Sequence, residues 1–259
     1  MIELKNGDCL IYLKEIKSNS VDLVISDINY GTLNKQNPNA VISNDTFDTK
    51  QLKQYCKEIK RVLKNTGTIV FFGKELLTID IINIMRPIYK YRYVWKKGNN
   101  VTNFLNSAKQ PLCNHEDIMI FQKGKKNNVY NPQKHQGTKI YSSIKNIGTE
   151  KKSNTYGRYK ETLKEDTDLR FPTTILDYEL SRNEYIIPTQ KPVDLMMFLI
   201  NTYTNKGGLV LDPCMGVCSS GIACIMTDRS FIGIEKDTER FNISEKRIKD
   251  TPIVKTLNF

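Results

Sequence analysis

Apolar and polar positions along the chain fall into alternating textures. Residues 21–27 (VDLVISD) form a short, continuously apolar run closed by an acid, the pattern of a buried strand. Residues 46–64 carry Leu52, Tyr55, Ile59, Val62 and Leu63 at helical spacing with lysines between them, which predicts an amphipathic helix. Asn65 and Gly67 read as its stop signals. Residues 68–72 (TIVFF) predict the next strand, residues 76–85 a helix ended by Pro87, and residues 91–95 and 117–121 two further strands. Residues 123–165 are rich in Lys, Asn, Gly, Ser and Tyr and show neither period. Beyond Ile187 the alternation returns: helix 193–203, strand 208–212, helix 219–227 with Ser219 at its start, strand 231–235 and a charged amphipathic helix 237–248.

Short apolar strands alternating with helices imply an α/β fold built on a parallel sheet covered on both faces. The texture change divides the chain into a first core part at 1–123, an insert at 124–187 and a second core part at 188–259. No internal repeat is evident.

Charge sharpens that division. The 259 residues carry 39 Lys+Arg and 28 Asp+Glu, a net charge of +11. Residues 86–170 hold 18 Lys+Arg against 7 Asp+Glu, so the remainder is neutral. A local excess of this kind marks a basic binding face on an otherwise ordinary globular protein. At 39% hydrophobic, the chain can bury a substantial core, which excludes a disordered tail. No run approaches the roughly 18 apolar residues of a membrane span, and acidic Glu3 and Asp8 argue against a signal peptide, so the expected location is cytoplasmic. Six scattered cysteines without a C-x-x-C pair, and only His115 and His135, argue against a metal site and for reduced thiols, several packed as small hydrophobes.

Three segments carry chemistry. Residues 209–221 (LVLDPCMGVCSSG) run from a strand through Asp212 into a loop with Gly216 and Gly221, then into a helix. This reads as the first turn of a nucleotide-binding α/β unit, although its glycines are not spaced G-x-G-x-x-G. The next strand ends in Glu235, placed to accept hydrogen bonds from both hydroxyls of a ribose. Residues 26–32 (SDINYGT) set an acid and a tyrosine where a strand meets its loop; a carboxylate can accept from an exocyclic amine, and an aromatic ring can stack on a base. In the insert, tyrosines are interleaved with Lys134, Lys139, Lys151, Lys152 and Arg158, residue types that neutralise phosphates.

Together these segments resemble the amino-methylating DNA methyltransferases, which make N6-methyladenine or N4-methylcytosine. The order SDINYGT, basic insert, LDPCMGVCSSG is similar to the β group of that family. VTNFLNSAKQPLCNHEDIMIF, TQKPVDLMMFLI and NGDCLIYLK extend the likeness over nearly the whole chain.

The resemblance implies a Rossmann-like, S-adenosylmethionine-dependent methyltransferase sheet with an inserted target-recognition region. It implies Asp27, Ile28, Asn29 and Tyr30 as the catalytic segment: Asp27 and the Ile28 carbonyl accept from the target amine, and Tyr30 stacks on the flipped base. It implies Asp8, Cys9, Lys191, Asp212, Cys214, Gly216, Ser219 and Glu235 around the cofactor. Double-stranded DNA is the implied partner, with a homodimer or a paired methyltransferase subunit, and no metal or membrane. Asp at the head of the catalytic segment, where cytosine enzymes usually carry Ser, points to adenine.

Two departures stand out. Ile28-Asn29 replaces the family's Pro-Pro, which loosens the positioning of the acceptors. Val217-Cys218 replaces Ser-Gly in the glycine loop, which is expected to narrow or reshape the cofactor pocket. They keep open a second reading, a weakly active or inactive DNA-binding homologue, beside N4-cytosine and RNA methylation.

Overall fold

A computed structural model describes residues 1–28, 47–98, 100–102, 104–141, 150–153, 157–160 and 167–252. The chain divides into two compact units: Met1–Asn131 with Thr174–Phe259, and Pro132–Thr173.

The larger unit is built on an eight-stranded sheet. Its strands, numbered along the chain, are β1 (Ile2–Asn6), β2 (Val21–Ser26), β3 (Leu63–Gly73), β4 (Tyr89–Lys96), β5 (His115–Gln122), β10 (Ile175–Asp177), β11 (Leu209–Asp212) and β12 (Ser230–Glu235). They lie in the order β1-β12-β11-β2-β3-β5-β4-β10. The strands from β1 to β3 in that order are parallel, whereas β5 runs antiparallel to both its neighbours, β3 and β4. The fold is therefore α/β with a mostly parallel sheet. Hydrophobic pattern does not encode strand direction, so the reversal of β5 is not readable from its apolar run.

Six helices flank the sheet among the described residues: α1 (Cys9–Glu15), α2 (Thr49–Val62), α3 (Glu75–Met85), α4 (Val193–Tyr203), α5 (Ser219–Met226) and α6 (Thr238–Asp250). Successive strand residues point to opposite faces. Val24, Ile69, Phe71, Met119 and Phe121 pack with Leu13 of α1, Leu52, Tyr55 and Ile59 of α2 and Ile81 of α3. Leu23, Ile25, Val70, Phe72, Ile118 and Ile120 pack with Leu195, Leu199 and Tyr203 of α4 and Ala223 of α5. Burying each such Leu, Ile or Phe contributes about 1.5–3 kcal/mol relative to exposure. The continuous apolar strands follow from this two-sided burial.

Local chemistry shifts several expected boundaries. Helix α2 begins at Thr49 because Asp48 and Gln51 close a capping box, Asp48 accepting the Gln51 amide at 2.7 Å and Gln51 accepting the Asp48 amide at 3.0 Å. It passes directly into β3 at Leu63, so Asn65 and Gly67 lie within the strand and do not stop the helix. A Cβ at Gly67 would stand 2.8 Å from the Asp22 carbonyl, and close approach of strands explains that glycine. Strand β1 and the seven-residue α1 are not evident in the sequence pattern; both are too short for a clear period.

The smaller unit contains two antiparallel pairs among its described residues. Strand β6 (His135–Tyr141) pairs with β9 (Thr167–Arg170), and β7 (Glu150–Ser153) pairs with β8 (Gly157–Lys160). Lys134 Nζ lies 4.7 Å from the Phe171 ring centroid.

Candidate active site

A cleft of about 380 Å³ opens where β1, β2, β3, β11 and β12 end. The five parallel strands deliver Asp8, Asp27, Lys74, Asp212 and Glu235 to one edge, the edge at which open α/β sheets bind ligands. Because β5 is reversed, its start lies at that edge too and brings Glu116 into the lining, beside Trp95 of β4 and Lys97 just after it.

One half of the cleft is formed by loops. Asp212 accepts the Cys214 amide at 3.1 Å and the Ser220 hydroxyl at 2.6 Å, which folds the turn back on the strand. Gly216 has φ +56°, and nothing lies within 4 Å of the position a Cβ would take. Its amide donates to Glu235 at 2.9 Å, and the Asp237 amide donates to the other Glu235 oxygen at 2.9 Å. Burial raises the Glu235 carboxyl despite these two bonds, which lower it. Asp8 caps α1 through the Leu10 amide at 2.8 Å, and Cys9 and Cys214 line the wall beside it.

The loop corrects two sequence expectations, those for Cys218 and Gly221. Cys218 adopts a left-handed backbone, φ 65°, and caps α5 without a side-chain hydrogen bond. Its thiol is fully buried in the core under α5 and does not line the cleft, so it does not narrow the pocket. Ser219 is the first residue of α5, at the helix start that the sequence predicts. Gly221 faces Phe231, where a Cβ would stand 2.9 Å from the ring, so this glycine serves helix–strand packing.

The other half is ionic. The Lys191 ammonium hydrogen-bonds Asp27 and stands 3.6 Å from Glu116 Oε2; the Lys97 ammonium bonds the other Glu116 oxygen. Lys191 also lies 5.1 Å from the Phe72 ring centroid and 5.9 Å from that of Trp95. Burial acts to lower Lys191, yet the charges of Asp27 and Glu116 leave it raised. Glu116 is the mirror case: burial acts to raise it, and the two lysines leave it lowered. The end of β2 is anchored beneath by a 2.8 Å bond between the Ser26 and fully buried Tyr55 hydroxyls. Ile28 lines the cleft and packs into the core, while Asn29 and Tyr30 lie outside the described residues.

Asp27 thus shares one cleft with the glycine loop and Glu235. The DNA methylase family pattern matches residues 21–246. The chain belongs to the N6/N4 DNA methylase family. Across 94% of its length this DNA methylase is 27% identical to type II methyltransferase M.HinfI of Haemophilus influenzae, 67% of which is covered. It is 28% identical, again over 94%, to DNA adenine methyltransferase YhdJ of Escherichia coli K12, with 81% of that protein covered. Its fold resembles the crystal structure of an M1.HpyAVI–SAM complex, at TM-score 0.57 and 22% identity, covering 96% of this chain and 100% of the other. It also resembles the cytosine-N4-specific PvuII DNA methyltransferase, at TM-score 0.65 and 16% identity, covering 97% and 88%.

The family uses S-adenosylmethionine. The cleft of this DNA methylase fits such a molecule: its volume lies in the small-ligand range, the space over Gly216 is open, and the buried Ser219 hydroxyl has no hydrogen bond among the described residues. Asp8, Cys9, Lys191, Asp212, Cys214, Gly216, Ser219 and Glu235 all line it. Lys191, grouped with the cofactor residues by resemblance, has its ammonium on Asp27.

Glu116 falls within VTNFLNSAKQPLCNHEDIMIF, one of the segments that carry the family likeness, but the resemblance gives it no role, and its place depends on the reversal of β5. Nor does the resemblance give a role to Lys97, Trp95 or Lys74. In the smaller unit Lys134 precedes β6, Lys139 lies on β6, Lys151 and Lys152 on β7 and Arg158 on β8. Among the described residues no helix is long and apolar enough to cross a membrane.

Proposed function

We propose that this DNA methylase transfers a methyl group from S-adenosylmethionine to N6 of adenine in duplex DNA. The observation that carries the reading is the placement of Asp27: a carboxylate, not a serine hydroxyl, heads the catalytic segment and opens into the same cleft as Glu235 and Ser219. The 28% identity to a relative named as a DNA adenine methyltransferase supports the same base.

In this reading Glu235 takes the ribose hydroxyls, Asp8 faces the adenine of the cofactor, and Ser219, Gly216, Cys9, Cys214 and Asp212 shape the rest of its place. S-adenosylmethionine, when bound, supplies an electrophilic methyl group. The target base leaves the stack, at a cost of a few kcal/mol, and Tyr30 stacks on it. Asp27 and the Ile28 carbonyl accept hydrogen bonds from the amine, which draws its lone pair out of ring conjugation and aims it. Orientation and fixed charge supply the rate enhancement, without a covalent enzyme intermediate. The basic segment containing Lys134, Lys139, Lys151, Lys152 and Arg158 supplies phosphate contacts.

Purified protein incubated with tritiated S-adenosylmethionine and mixed-sequence DNA, followed by nucleoside analysis, tests this. The expected product is N6-methyladenine, absent with Asp27→Ala. Label no greater than that of Asp27→Ala overturns the active-enzyme reading; label in N4-methylcytosine overturns the choice of base.

A further inference from the structure

We infer that Asp212 is the residue by which the cleft tells the methyl donor from the product it leaves behind, and that it does so by charge; the inference rests on S-adenosylmethionine being the cofactor and not on which base is methylated. The charges that line the cleft can be matched acid by acid. Its four lysines pair with other acids: Lys191 with Asp27, Lys97 with Glu116, Lys74 with Glu75 and Lys236 with Asp8. Glu235 accepts two backbone amides and feels the charge of Arg240. Asp212 is 5% exposed, and among the described residues no ammonium or guanidinium pairs with it. Its hydrogen bonds come from neutral donors, the Cys214 amide and the Ser220 hydroxyl. A buried carboxylate without a cation beside it is costly to ionise.

The groups that face Asp212 deepen the deficit. Asp27 comes from the end of β2, the Tyr55 hydroxyl from α2, the Cys214 thiol from the loop, the Cys218 and Cys224 thiols from α5, and Glu235 from the end of β12. The two acids repel its charge, and the phenol and thiols bring no positive charge to offset it. S-adenosylmethionine carries a positive sulfonium; the product, S-adenosylhomocysteine, carries a neutral sulfide and is otherwise alike. An unpaired carboxylate in the wall therefore favours the first over the second. In the unliganded protein, burial and the two like charges push the Asp212 carboxyl up to about 7 despite its two hydrogen bonds, so near neutral pH part of the population holds the proton. A positive charge entering the cleft favours the ionised acid, and the proton passes to solvent. Donor binding and proton loss are then linked, so donor affinity rises as pH rises through that region and is weaker below it. Product affinity gains nothing from the same ionisation.

The test needs no turnover. The native protein is titrated calorimetrically with S-adenosylmethionine and, separately, with S-adenosylhomocysteine, each in two buffers of different ionisation enthalpy, which counts the protons exchanged. At pH 7 the donor should release about half a proton more than the product. Between pH 6 and pH 8 the preference for donor over product should rise about five- to tenfold. Asp212→Asn keeps the shape and removes the charge. At pH 8 it should lower that preference roughly tenfold or more and abolish its pH dependence, with product affinity within about threefold of native. If Asp212→Asn does not fold, Ser220→Ala decides the matter: losing a hydroxyl that favours the ionised form should move the rise in preference to higher pH. Equal proton counts for donor and product, or a native preference that is flat with pH, overturn the inference. A chain that binds neither compound overturns the cofactor assignment itself, a failure seen before any pH dependence is measured.

Discussion

Asp212 ends β11 with both carboxylate oxygens engaged, by the Cys214 amide and the Ser220 hydroxyl. Burial nonetheless pushes its carboxyl up to about 7, and the charges of Asp27 and Glu235 add to the rise. An unfolded aspartate titrates near 3.9, so between about pH 4 and pH 7 the folded chain holds a proton that the unfolded chain lacks. For this raised acid, stability falls as pH rises through that window and is lowest above it. Asp212→Asn keeps the shape and removes the titration. Urea unfolding at pH 5 and pH 8 should show native stability relative to the variant falling by about 2–3 kcal/mol at the higher pH. An unchanged difference would mean that the two hydrogen bonds outweigh burial.

Among elements, the β7–β8 pair carries a concentrated prediction. Its register sets Lys151 against Tyr159 and Lys152 against Arg158. Two cationic residue types at opposed positions of a ladder are unfavourable unless an anion accompanies them. Lys151→Glu with Lys152→Glu should weaken DNA binding and flatten its log–log salt dependence by about 0.9 per lost phosphate contact. Cofactor affinity should stay unchanged; a parallel loss of both, measured by calorimetry, would show a damaged fold. This scale also shows where sequence is informative. The apolar runs of β2, β3, β11 and β12 are legible because two-sided burial forces continuous hydrophobicity. The acids that close β2, β11 and β12 are legible because a strand end opens its last side chains to the ligand edge. The place of Glu116 at the cleft is not legible, although the residue lies in a segment that carries the family likeness, since no pattern of side chains states that β5 is reversed. Nor is the direction of the Cys218 side chain, which a left-handed φ turns into the core.

For the whole molecule, the strand order interleaves the two ends of the chain. β12 lies between β1 and β11, and β11 between β12 and β2. A chain ending at residue 207 would therefore leave β1 without a partner and β2 with an open apolar edge. Such edges recruit other chains. Sedimentation and thermal unfolding of that truncated chain should show aggregates without a cooperative transition, whereas the full chain unfolds cooperatively; a soluble, cooperative fragment would refute this.

The same interleaving has a consequence for synthesis. Asn6 and Glu235, joined by a 2.9 Å bond, are 229 residues apart. At about 5–20 residues per second, β1 waits roughly ten to fifty seconds on the ribosome before its neighbour emerges. Glu235 and the glycine loop emerge in that same late stretch, so the binding cleft is assembled last. A nascent chain holds Asp27 long before it holds the opposite wall of the cleft, which closes in one late step of synthesis.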